Sequence, residues 1–158
     1  MGKQSSKLNQ LLVLRTLLIG IFGGFFGGLF LLLLHYFKIT EVRPKILLHV
    51  LFQDENWLEK WYAYVVLLLL LSIISTIIAL IYYILLRQRK SWITGAVFGI
   101  VIWATIYFIM PIIINNYNPF LYLSSESHVS MFCLFLLYGV FIGYSISYDY
   151  ENLKQDFE

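Results

Sequence analysis

The chain has 158 residues, of which 60% are hydrophobic, 18% aromatic and only 13% charged, and its formal net charge is +2. A soluble domain carries about a quarter charged residues. The deficit here is concentrated in long uninterrupted apolar runs, which excludes a water-soluble domain and makes the lipid bilayer the solvent.

Four runs pass the ~18 residues that suggest a membrane span, at about 11–37, 62–86, 92–114 and 128–147. Together they occupy most of the chain. The expected architecture is therefore all-α: one integral membrane domain, 1–158, folded as a four-helix bundle.

The first run follows Lys3, Lys7 and Arg15 and resembles the start of a signal peptide. It continues to Phe37 with no small-residue cleavage site, so a retained helix is expected. Its centre reads "GIFGGFFGGLF". At 100° per residue, Gly20, Gly23, Gly24, Gly27 and Gly28 share about 140° of the helix circumference. Phe22, Phe25, Phe26 and Phe30 take the other faces, and Thr16, Leu31 and His35 continue the glycine side. Helices in lipid have no hydrophobic drive toward one another, and small residues let their backbones approach closely. The stripe therefore predicts a packing surface, either within one chain or as the seam of a homo-oligomer. A ligand groove opened by the missing side chains is a third possibility.

The outer loop from Lys38 to Lys60 contains "RPKILLHVLF". Pro44 suits a first helical position, and the stretch is too short to span. A short interfacial helix is expected there, and this loop is the best candidate for gripping something outside.

Helix 2 offers Ser72 with Thr76 and Ser75 with Ala79 as small-residue pairs. With no base at matching depth, its serines are weak nucleophiles and should bond to carbonyls of their own or a neighbouring helix. Helix 3 carries Gly95 and Gly99, then Trp103 and Tyr107 on the same row. Pro111 should kink its outer end, and Asn115 marks where the chain leaves the lipid. Helix 4 begins at His128 and carries Gly139, Gly143 and Ser147. Its Cys133, the single cysteine, reads as a small apolar residue. The acidic segment from Asp149 to Glu158 reads as a frayed extension of this helix or a cytoplasmic contact.

Tyr and Trp collect where the runs meet the flanking segments, with Trp57, Trp61, Tyr62 and Tyr64 at one side and Tyr82, Tyr83, Trp92, Tyr144 and Tyr148 at the other. That is an interfacial belt. Seven of the eleven Lys and Arg residues fall on the side of the N-terminus and the 87–90 turn, against four on the opposite side. By the positive-inside rule both termini are cytoplasmic, in a multi-pass cell-membrane protein.

No charged residue lies near the centre of any run, which argues against a proton pump or voltage sensor. Arg15 sits near the cytoplasmic end of helix 1, where it can snorkel. No zinc-helix, paired-aspartate or nucleophile-elbow motif is present. No catalytic residue, metal or other cofactor is therefore expected. His35, Tyr107, Asn115 and His128 are candidates for a polar cluster at the outer side, if the glycine faces of helices 1 and 4 pack together.

Four stretches carry a family resemblance: "FGGFFGG" in helix 1, "HYFKITEVRP" after it, "GAVFGIVIW" in helix 3 and "LYGVFIGYSISYDYENL" near the C-terminus. In these the chain resembles the YqhR family of conserved membrane proteins from Bacillus-type Firmicutes. The resemblance implies four membrane helices in a bacterial plasma membrane and brings no established activity or site residue. The expected role is a non-enzymatic structural or regulatory partner or accessory subunit. The alternative is a small carrier, channel or lipid-binding protein. Beyond the bilayer, a membrane-protein partner or a second copy is expected, and no nucleic acid.

Overall fold

Long apolar runs in lipid must satisfy every backbone donor and acceptor internally, and a helix does this within one segment. The computed structural model describes residues 2–42, 44, 48, 60–86, 92–113 and 124–157. These form four helices: α1 (Gly2–Tyr36), α2 (Tyr62–Leu86), α3 (Trp92–Ile113) and α4 (Ser125–Phe157). Among the described residues there is no strand. Each helix contains a stretch long and apolar enough to cross a bilayer: Asn9–Tyr36, Tyr62–Leu86, Trp92–Ile109 and Ser125–Leu153. The protein is an all-α four-helix membrane bundle.

Its core is thin and its outer surface greasy, as lipid allows. Large apolar side chains such as Phe30, Leu69, Ile73, Ile84 and Phe108 point outward. The interior is built from small residues and a few close-packed large ones. One cluster joins Leu12, Ala79, Tyr82, Tyr83, Ile142, Ile146 and Leu153, with Phe98 and Tyr138 packed against it. α1 lies against both α2 and α4, α2 also touches α4, and α3 packs chiefly on α4.

The first and last helices are longer than their spans. α1 has 35 residues and α4 has 33, or roughly 50 Å each at ~1.5 Å per residue. α4 continues as helix to Phe157, and Leu153 is buried in the same cluster as Leu12.

α1 stops with a defined cap. Lys38 adopts a left-handed φ of 55°. Its N–H donates to the carbonyl of His35 at 3.1 Å, and the N–H of Ile39 donates to that of Leu34 at 2.9 Å. These two bonds form the Schellman pattern, here closed by lysine where glycine is usual. The chain then turns onto the start of α4. The Glu41 N–H donates to Ser127 Oγ (3.0 Å) and the Ser124 N–H donates to Glu41 Oε2 (3.2 Å). A carboxylate at this place also faces the positive end of the α4 dipole.

The interfacial helix expected in "RPKILLHVLF" falls mostly outside the described residues, as do His49 and Asn115. Of that stretch Leu48 is described. It is fully buried against Ala63 and Leu67 of α2. α3 continues as helix through Pro111 to Ile113.

Candidate functional site

The five glycines of α1 serve two neighbours. Gly20, Gly24 and Gly28 form an i, i+4, i+8 row that faces α2. A Cβ on Gly20 would lie 2.6 Å from the Cα of Thr76, and one on Gly24 would lie 2.5 Å from the Cα of Ser72. At Gly28 the nearest atoms are side-chain carbons of Leu68 and Leu71. Gly23 and Gly27 form the adjacent row and face α4. Gly23 meets Ile142 and Phe141, and Gly27 has only Tyr138 near, at 3.7 Å. A helix wedged between two others needs two bare rows, and these five positions supply them.

α3 and α4 close on each other in the same way. A Cβ on Gly95 would lie 2.7 Å from the carbonyl oxygen of Gly139, and one on Gly143 would lie 2.6 Å from the Cα of Gly95. Gly99 abuts the Phe135 carbonyl and the Gly139 backbone. All nine glycines of the spans thus meet other helices of the same chain.

Where α1, α2 and α4 come together, the polar groups are chained. Ser75 Oγ donates to the Gly20 carbonyl at 2.7 Å. Its single hydrogen is then used, so the Tyr138 hydroxyl, also 2.7 Å away, donates to Ser75. One relay therefore runs from α4 through α2 to α1. Three further span hydroxyls bond back along their own helices: Thr16 to Leu12, Ser72 to Leu68, and Thr76 to Ser72. Such back-bonding is what an intramembrane hydroxyl does when no neighbouring helix offers an acceptor.

Tyr82 and Tyr83, expected in the interfacial belt, turn inward instead. Tyr82 is fully buried, with its ring edge-on to Phe98 of α3 at 4.9 Å. Its hydroxyl lies beside Gly143 and has no hydrogen-bond partner. The missing side chain at Gly143 makes room for this ring, because a Cβ there would stand 3.0 Å from the hydroxyl oxygen.

Two of the outer polar candidates are seen together. Tyr107 and His128 are neighbours, ring centroids 6.3 Å apart, in a stack that includes Trp103 on Tyr107 (5.7 Å) and Phe132 against Trp103 (5.4 Å). His35 has a buried Nδ1 without a hydrogen-bond partner. The packing of the α1 and α4 glycine faces on each other, on which the approach of His35 to His128 is premised, is not what the glycines of α4 do: Gly139 and Gly143 face α3. Among the described residues no group of three or more His, Cys, Asp or Glu is placed to hold a metal ion.

One feature at the end of the bundle that carries both termini is not evident from single helices. Arg15 of α1 reaches Asp149 of α4 with an Nη1–Oδ1 distance of 3.3 Å. Below this pair a lipid-facing groove of about 450 Å³ runs between the two helices. Its walls are Leu18, Ile19, Phe22, Phe26 and Phe141. The sequence signal for the pair is depth: each residue sits where its apolar run gives way to polar chain on the same side.

Architecture and interior together define a small polytopic helical membrane protein whose helices are joined through glycine and hydroxyl contacts. The chain belongs to the family of the conserved membrane protein YqhR, whose family model matches residues 2–158. It is similar to the uncharacterized protein YqhR of Bacillus subtilis (strain 168), with 28% identity over 142 residues, covering 90% of this chain and 79% of the relative. No solved structure matches it.

Proposed function

We propose that this multi-pass membrane protein works without catalysing a reaction, as a helix-packing partner or accessory subunit in the bacterial plasma membrane, with both termini in the cytoplasm. One observation carries the reading. α3 is attached chiefly through its glycine face to α4, and its other side presents a continuous apolar surface that includes Ile93, Val97, Val101, Phe108 and Ile112. A helix held on one side only has a whole flank available for another membrane protein. Close packing and interhelical hydrogen bonds, which drive association in lipid, are the chemistry this chain uses throughout. The test is crosslinking in native membranes, then mild-detergent purification and mass spectrometry. A stoichiometric partner held through α3 supports the accessory role; recovery of the chain alone or with lipid opposes it.

The groove between α1 and α4 favours a second reading, a lipid-binding membrane protein. Its volume of about 450 Å³ falls within the ~300–1,000 Å³ of small-molecule sites.

A further inference from the structure

The groove between α1 and α4 is apolar along its length and doubly charged at its rim. Arg15 and Asp149 touch there through a single 3.3 Å contact, with 46% and 25% of their side chains open. A guanidinium has five N–H donors and a carboxylate about four lone-pair sites, so each group keeps capacity after binding the other. The depth of the groove is equally informative. Arg15 to Phe26 is eleven residues of helix, or about 16 Å. That is roughly half of the ~30 Å hydrocarbon core, the reach of one acyl chain in one leaflet.

We propose that this groove is a headgroup-specific site for a phosphatidylethanolamine-type lipid, with its phosphate on Arg15, its primary ammonium on Asp149 and one acyl chain along Leu18, Phe22, Phe26 and Phe141. Charge complementarity selects this occupant. A zwitterion gives each member of the ion pair a second opposite charge and adds no net charge to the rim. A headgroup bearing only a negative charge sets that charge beside Asp149 as well as Arg15. A choline headgroup carries a positive charge but has no N–H to donate to the carboxylate. The proposal deepens the lipid-binding reading above and is independent of whether α3 has a protein partner.

The experiment uses the full chain reconstituted in phosphatidylcholine vesicles. These contain a trace of chain-labelled nitroxide phosphatidylethanolamine or, in parallel, phosphatidylcholine with the same chains. Electron spin resonance reads the motionally restricted fraction of each. The expected result is a several-fold preference for the ethanolamine lipid, lost in Asp149→Asn and kept in Asp149→Glu. Parity in the unaltered protein, or a preference that Asp149→Asn leaves unchanged, overturns the proposal. The unaltered protein decides even if a variant does not fold. Leu18→Trp, which fills the groove, separates the two levels. Parity with a restricted fraction that this variant lowers for both lipids removes the headgroup assignment and leaves a lipid groove. Parity with a fraction that it does not lower removes both.

Discussion

Gly99 of α3 and Gly139 of α4 meet backbone to backbone, with no room for a side chain on either. A methyl on Gly139 would also stand 2.5 Å from the Gly95 carbonyl oxygen. Peptide groups cannot rotate aside as side chains do, so the helices must separate.

Gly139→Ala is therefore expected to destabilise the bundle by about 1–3 kcal/mol, the usual cost of overpacking. Unfolding in mixed micelles measures it. Stability equal to that of the unaltered protein would show that α3 does not rest on α4.

Two glycines of α1 give an internal contrast. Gly24→Ala places its methyl 2.5 Å from the Cα of Ser72, whereas Gly27→Ala finds its nearest neighbour, Tyr138, at 3.7 Å. The first is expected to lose stability. The second is expected to be neutral or to gain up to about 1 kcal/mol from the higher helix propensity of alanine. Thermal denaturation of the pair reads the ranking, and equal effects would contradict the two-row arrangement.

Ser75 receives from Tyr138 and donates to the Gly20 carbonyl. Ser75→Ala breaks both links and leaves the tyrosine hydroxyl without its acceptor, so a loss of about 1–2 kcal/mol is expected. Tyr138→Phe removes only one link and should cost about 0.6 kcal/mol, the average for an interhelical bond in a membrane protein. A larger loss in the phenylalanine variant would mean that the ring, and not the relay, matters.

The distribution of basic residues makes a topological prediction. In a Cys133→Ala background, Ser6→Cys and Ser91→Cys should both react with a membrane-impermeant maleimide only from the cytoplasmic face. Reaction from outside intact cells would invert the orientation.

The spans were readable because hydropathy over ~20 residues is a strong signal. The partnering of the small-residue stripes was not. A glycine row states that something comes close, and it carries no label for what. That Gly20, Gly24 and Gly28 meet α2 while Gly23 and Gly27 meet α4 depends on the geometry of three helices at once. Tyr82 illustrates the same limit. Near the end of an apolar run a tyrosine reads as an interfacial anchor, yet the space over Gly143 draws it inside. The burial of Leu153 at the end of α4, in a largely polar stretch, likewise depends on its cluster with Leu12 of α1. The ion pair of Arg15 and Asp149 joins residues 134 positions apart, and no local pattern links them.

The two glycine-sealed contacts, α1 on α2 and α3 on α4, each join helices that are consecutive in the chain. Each hairpin can thus close as soon as its second helix leaves the ribosome and enters the membrane. The contact of α1 with α4 must wait until α4 has been made, after the other three helices. The groove between those helices is accordingly the last of these helix contacts to form, shaped while lipid already surrounds the wall that α1 provides.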